Sequence, residues 1–317
     1  MKTLYILNIP NYYASYYLLG FQKVFRIKFS MDSRFVAYNN KPLLIFKIED
    51  RLGVIDNDDP VQVVQALYDL ADMYFVTNKL LDNPSYQQAK VQPLFPHYPV
   101  NILPLYLRLF HFNLMKYLSL KTIARTLYIL IRRPQYKSYA QDPVKANYIF
   151  FSSNIWKKEA ETNAIRAAFI RYCKADERLT FEGGFVPRTD GQNFGFDDVL
   201  NTVKYPPKLF SELSRKSKIV LNNAAVCGAV SWRLAEYLNQ GLFVLSFPFK
   251  IELPVPLEHN RSVCFIEDAQ SFKTVFDTVL TQEQYHEQIC KGGKLYFETH
   301  CTPEAQARYI VNKLVEQ

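Results

Sequence analysis

Gly228, Ser231, Arg233 and Glu236 carry the clearest chemistry in this chain. They lie in residues 217–259, which read as strand, glycine-containing turn, helix, strand and Pro-rich loop. A turn that opens a helix leaves backbone N–H groups for an anion, and the helix dipole favours negative charge there. Ser231 is placed to cap the helix, and Arg233 offers a guanidinium to phosphate oxygens. Glu236, one turn on, offers a carboxylate to the hydroxyls of a ribose. The set suits a ligand with a diphosphate and a ribose. The competing reading is a surface i, i+3 Arg–Glu pair, worth a few tenths of a kcal/mol.

Two loops upstream add candidates. Residues 151–158 (FSSNIWKK) end a strand with hydroxyls, amides and two lysines. Ser153, Trp156 and Lys157 either receive a phosphate there or form an ordinary capping loop. Asn163 and Arg166 follow three apart on the next helix and share a face; Arg166 also fits a plain surface position. Residues 181–188 (FEGGFVPR) end a second strand, where Gly183 and Gly184 permit either close approach to a ligand or a tight turn. Asp56 and Asp58 have an Asp-x-Asp spacing, but they precede Pro60, where acidic residues cap a helix. The pattern predicts no metal site.

These residues need a scaffold of alternating strands and helices. Strand-like runs at 4–9, 24–29, 42–48 and 73–77, with a helix over 59–71, outline a small α/β domain. Residues 102–133 are dense in Leu, Phe, Tyr and basic residues and read as helical. A second series has strands at 147–151, 179–181, 218–221, 242–247 and 262–266 and helices at 160–174, 208–214 and 231–239. Further helices start at Asp268, Gln282 and Pro303. Strand-then-helix order predicts two parallel, doubly wound sheets: an N-terminal domain over 1–143 and a C-terminal domain over 144–317.

Bulk properties narrow the function classes. The 317 residues suffice for two such domains, and 49% apolar content argues for folded structure. Aromatic content of 15% serves core packing first and fits sugar- or membrane-facing surfaces second. The five cysteines show no CxxC spacing, so they read as thiols of a reducing compartment. Asn8, Pro10 and Asn11 interrupt the first apolar run too early for a signal peptide, and no stretch is long and apolar enough to span a bilayer. The expectation is a cytoplasmic protein.

The net charge of +8 is local: residues 83–141 hold eight Lys or Arg and no Asp or Glu. Over 120–132, Lys121, Arg125 and Arg132 fall within about 40° of one another on a helical wheel, opposite Leu120, Ile123, Leu127, Leu130 and Ile131. That pattern fits a helix lying on an anionic membrane surface. Nucleic acid is not expected, since the cations are interleaved with Leu and Phe.

The pieces YIFFSSNIW (from Tyr148), FEGGFVPR and SKIVLNNAAVCGAVSWRLAEYLNQGLFVLSFPFKIELPVPLEH make residues 147–317 resemble the donor domain of GT-B glycosyltransferases, with a likeness to glycosyltransferase family 4 and exostosin-like enzymes. Residues 1–80 are similar only to a generic Rossmann-like domain. The resemblance implies two Rossmann-like domains facing across a cleft and a UDP- or GDP-sugar donor, with no cofactor and no metal. It implies transfer to a glycan or lipid-linked glycan of a surface polysaccharide. Donor contacts would come from Ser153, Trp156, Lys157, Gly183, Gly184, Asn223, Gly228, Ser231, Trp232, Arg233 and Glu236. Arg188 would neutralise the leaving group with Lys157 and Arg233. His97 would act as base on the acceptor side, with Asp32 and Glu49 as alternatives. Retaining members of family 4 carry a second glutamate at the position of Gly228, so the stereochemistry stays open. A nucleotide-sugar epimerase shares the same two-domain fold and is the alternative activity.

Overall fold

The computed structural model describes residues 2–59, 61–140 and 146–316. The chain forms two α/β units: residues 1–137 with 250–256 and 298–317, and residues 138–249 with 257–297. The expected boundary at 143 lies outside the described residues, and the division falls earlier, between 137 and 138.

In the first unit, β1 (Thr3–Ile6), α1 (Ser15–Val24), β2 (Arg26–Phe29), β3 (Leu43–Ile48), β4 (Arg51–Asp56), α2 (Gln65–Leu70), β5 (Met73–Val76) and β6 (Val91–Pro93) precede two longer helices. These are α3 (Leu103–Tyr117) and α4 (Leu120–Arg132). The strands make one six-stranded sheet in the order β2-β1-β3-β4-β5-β6. It is mixed rather than parallel as expected. β3 runs antiparallel to both β1 and β4, since the two residues between Ile48 and Arg51 allow a hairpin but no crossover. One face buries Leu43, Ile45, Val54, Tyr74 and Val76 against Phe35, Val63 and Leu67.

The helix expected from residue 59 begins only at Gln65, and no side chain caps it. Asp56 is therefore not a helix cap. It ends β4, buried, and accepts hydrogen bonds from Tyr74 Oη (2.6 Å) and the Asp58 N–H (3.0 Å). Pro60 lies outside the described residues.

In the second unit β7 (Tyr148–Asn154), α5 (Ala160–Ala175), β8 (Thr180–Val186), α6 (Pro207–Lys216), β9 (Ile219–Asn222), α7 (Trp232–Asn239), β10 (Phe243–Ser246) and β11 (Cys264–Phe265) follow the expected order. α8 (Phe272–Thr281) and α9 (Glu283–Tyr296) cover the sheet. Every ladder here is parallel: β7 with β8, and β9 with β10 and β10 with β11. β7 runs beside β9, joined where the Lys218 N–H donates to the Tyr148 carbonyl at 2.8 Å. The ladders make two sheets, β8-β7 and β9-β10-β11, that adjoin at β7 and β9; read across the junction the order is β8-β7-β9-β10-β11, and the winding reverses between β7 and β9. Ile149, Phe151, Ile219, Leu221, Phe243 and Leu245 form one buried face with Phe169, Ile170, Phe272 and Phe276. Strands buried on both sides explain the continuous apolar runs.

The last helix, α10 (Pro303–Val315), belongs to the first unit, not to the C-terminal domain that the sequence suggested. Its docking is specific. Gln306 Nε2 donates to the Pro96 carbonyl (3.0 Å), Tyr309 Oη to the Pro93 carbonyl (3.1 Å), and Tyr16 Oη of α1 to the Cys301 carbonyl (2.6 Å).

Candidate functional site

In open α/β sheets, ligands bind outside the carboxyl ends of the strands where the winding reverses. Here those ends are Ser153–Asn154 of β7 and Asn222–Asn223 at β9. Arg166, on α5, joins them. Its Nη1 donates to Ser153 Oγ (2.9 Å) and its Nε to Asn223 Oδ1 (3.1 Å). Arg166 is only 5% exposed, so the surface alternative is wrong. It stands in the buried stripe of α5 with Asn163, Ala167, Ile170 and Cys173.

A second guanidinium faces it. Arg233, in the first turn of α7, lies over the rings of Phe210 (4.6 Å) and Phe151 (5.6 Å). Burial first, and then the Arg233 charge, push the Arg166 guanidinium down to about 9. Tyr237 and the Glu159 carboxylate, which work the other way on Arg166, are the lesser influences. Burial and a neighbouring like charge both disfavour this cation, and a phosphate would relieve both.

The surrounding loops are fixed by local bonds. Asn163 Oδ1 accepts from the Trp156 N–H (3.0 Å), while its Nδ2 donates to the Trp156 carbonyl (2.7 Å). That pins the backbone after β7 and leaves the Trp156 side chain 37% exposed. Lys157 is exposed nearby. The turn before α7 contains Cys227 (φ 54) and Gly228 (φ 79), left-handed conformations that suit glycine at the second position. Glu159 Oε1 accepts from the Cys227 N–H at 2.9 Å and ties this turn to the start of α5. Ser231 Oγ accepts from the Arg233 N–H, the predicted cap. Trp232 and Glu236 are half-buried on α7, with Glu236 one turn beyond Trp232. Of the sequence candidates, Ser153, Asn223, Ser231 and Arg233 therefore meet around Arg166, with Trp156, Lys157, Gly228, Trp232 and Glu236 on the adjoining loops and helix. For Arg166 the sequence left a surface position open; the signal against it was a cation inside an apolar helical stripe.

Other candidates serve different ends. Gly183 (φ 120) and Gly184 (φ 140) sit inside β8 rather than in a turn, the first half-buried and the second buried. A Cβ at Gly183 would stand 2.1 Å from the Phe151 carbonyl oxygen, and one at Gly184 2.6 Å from that of Val199. These glycines serve strand packing. Arg188 is no free cation: its Nε and Nη2 donate to the two Asp190 carboxylate oxygens (2.9 and 2.5 Å) and its Nη1 to the Ile155 carbonyl (3.0 Å).

The three residues expected as candidate bases also find structural work in the first unit. His97 is buried against Tyr16 and Tyr17, with ring centroids 5.9 and 4.9 Å away, and burial pushes its imidazole down to about 3. It stays neutral and enclosed. Asp32 caps the turn at Ser33–Tyr38 and binds Arg34. Glu49 sits in the exposed β3–β4 turn, paired with Lys2 at 2.7 Å. Among the described residues no three His, Cys, Asp or Glu side chains are grouped to hold a metal ion. No helix among them is long and apolar enough to cross a membrane.

No family model matches the sequence, and no curated protein matches it. Solved structures do. The chain is similar to a glycosyltransferase from Rickettsia africae ESF-5 at 9% identity, covering 92% of this chain and 76% of that one, with a TM-score of 0.48. It is similar to Anabaena Alr3699/HepE in complex with UDP and glucose at 11% identity, covering 80% and 65%, with a TM-score of 0.44. It is also similar to the UDP-GlcNAc 2-epimerase from Neisseria meningitidis bound to UDP-GlcNAc at 13% identity, covering 100% of both chains, with a TM-score of 0.39.

Proposed function

We propose that this protein is a glycosyltransferase that moves a hexosyl or pentosyl group from a UDP- or GDP-sugar to a glycan or lipid-linked glycan acceptor. One observation carries the reading. Arg166 bridges Ser153 and Asn223 at the point where the winding of a parallel sheet reverses, beside Arg233 and the capped start of α7. That arrangement is a preformed cationic seat for a diphosphate.

In transfer, the bond from the anomeric carbon to the diphosphate oxygen breaks while an acceptor hydroxyl oxygen bonds to that carbon. The diphosphate leaves with the electron pair, and the hydroxyl proton passes to a base. Charge develops on the leaving oxygen next to Arg166 and Arg233, whose positions are set beforehand by the Phe210 and Phe151 rings and by Ser153 and Asn223. Preorganised cations in a low-dielectric pocket stabilise such charge without reorganisation and can replace a metal ion in that task. Glu236 accepts from the ribose hydroxyls. The reading places the enzyme in the cytoplasm, at the inner face of a membrane, in surface polysaccharide or glycoconjugate synthesis.

A thermal-shift panel of UDP-, GDP-, CMP- and dTDP-sugars tests it, followed by product analysis with and without acceptor. The expected result is stabilisation by about 2–6 °C with one nucleotide class at concentrations well above Kd. No shift with any donor overturns the reading. An isomeric nucleotide sugar formed without acceptor replaces transfer by epimerisation.

A further inference from the structure

The first unit has a cationic cavity at the edge of its sheet. β2 is the edge strand, and Arg26 and Lys28 alternate with its inward residues, so both project to the same exposed side. With Phe25, Arg108, His111 and Asn113 they line a cavity of about 480 Å³ in which no carboxylate takes part. Among the described residues Arg26, Lys28 and Arg108 form no ion pair. Unpaired cations around a cavity select an anion.

Apolar side chains flank this cavity in solvent. His111 (φ 21, ψ −113) breaks α3, and after the break Phe112 is 77% and Met115 64% exposed, with exposed Lys116 beside them. Leu120, at the start of α4, is 77% exposed. α4 does not bury the whole apolar face expected from its sequence: Thr126 and Leu130 point inward, while Leu120, Ala124 and Ile131 form an exposed strip. At 100° per residue, Tyr128 and then Lys121, Arg132 and Arg125 continue that strip, all exposed. An apolar strip beside a cationic one, both in water, is the pattern of a segment lying in a bilayer interface.

We infer that this surface docks on a bilayer carrying anionic phospholipid. The cavity takes the phosphate of one lipid headgroup between Arg26, Lys28 and Arg108. Phe112, Met115, Leu120 and Ile131 enter the acyl boundary, and Lys116, Lys121 and Arg125 remain at headgroup level. A nucleic acid or an acidic protein would meet the cations but gain nothing from the aliphatic strip of α4. The inference deepens the lipid-linked reading of the acceptor and rests on it for its purpose. Its chemistry stands on the first unit alone.

The test is co-sedimentation with vesicles of phosphatidylcholine alone and of phosphatidylcholine mixed with phosphatidylglycerol, at low and high salt, without donor or acceptor. The wild type pellets with the mixed vesicles only, and less at high salt. The double variant Arg26→Glu, Lys28→Glu binds at least about tenfold more weakly. Lys204→Glu, Lys313→Glu, which changes net charge equally at exposed positions elsewhere, binds as the wild type does. Phe112→Ser, Leu120→Ser loses the salt-resistant part of binding. Donor-induced thermal shift, unchanged in all variants, reports that they fold and separates failure of docking from failure of the donor site. No pelleting of the wild type overturns the inference, as does equal loss in the cavity and control variants. Binding to single-stranded DNA without binding to vesicles assigns the surface to nucleic acid and overturns it too.

Discussion

Arg166 Nε donates to Asn223 Oδ1 at 3.1 Å, linking a helix interior to the carboxyl end of β9. Both partners are buried, and the acceptor is a neutral amide rather than a carboxylate. A charge buried in this way costs stability in the empty protein, and burial with the nearby Arg233 lowers its affinity for its proton. An anion reverses both effects.

Arg166→Met therefore separates function from fold. Calorimetric affinity for the donor falls about tenfold to a hundredfold, as expected for losing a charge-assisted hydrogen bond of about 1.5–3 kcal/mol. The melting temperature without ligand stays within a few degrees of the wild type, because an apolar side chain of similar length replaces a buried charge. Unchanged donor affinity in a folded variant makes Arg166 a purely structural residue.

Glu236→Gln tests the ribose contact. Glu236 is half-buried on α7, one turn past the capped start. The substitution keeps size and helix propensity but removes the charge proposed to accept from the ribose hydroxyls. The expected outcome is a rise in donor KM or a fall in kcat/KM of about tenfold or more, with circular dichroism unchanged. Equal kinetics in both proteins would remove Glu236 from the site.

The strand–helix–strand unit of β9, α7 and β10 was legible because its strands are buried on both faces and its helix has a serine cap and a glycine stop. Ser231 and Gly241 mark those ends in the sequence as they do in space. β4 escaped notice: Glu49 and Asp50 look like the end of a strand, and a two-residue hairpin leaves no loop signature. The role of Arg166 stayed open in the sequence because a cation in a helix reads as surface until its neighbours are known to be buried. The roles of Arg188 and His97 were set by partners. One is neutralised by Asp190 and the other enclosed by Tyr16 and Tyr17.

Gly183→Ala should fail as a fold change, not as a binding change. The added methyl would stand 2.1 Å from the Phe151 carbonyl oxygen, at a backbone φ of 120 that side chains rarely adopt. Moving the β7–β8 ladder to make room costs about 3 kcal/mol or more. Denaturant melts should show a midpoint well below the wild type or an insoluble product. A stable variant with weakened donor affinity would restore Gly183 to the ligand site.

Asp56 decides between a metal-bound diphosphate and a metal-free one. Burial outweighs the bonds from Tyr74 and the Asp58 N–H and pushes its carboxyl up to about 6 from 3.8. The folded state then holds this proton more tightly than the unfolded chain. Between those two values stability rises as pH falls, and above about 6 the buried charge costs on the order of 2–3 kcal/mol. Asp56→Asn, whose amide oxygen can still accept from Tyr74 Oη, should be as stable as the wild type or more so at pH 7. It should lose the pH dependence between about 4 and 6. Its transfer activity should match the wild type, and both should persist in excess EDTA. Loss of activity in EDTA, restored by Mn²⁺ in the wild type but not in the variant, would make Asp56 a metal ligand and end the metal-independent mechanism.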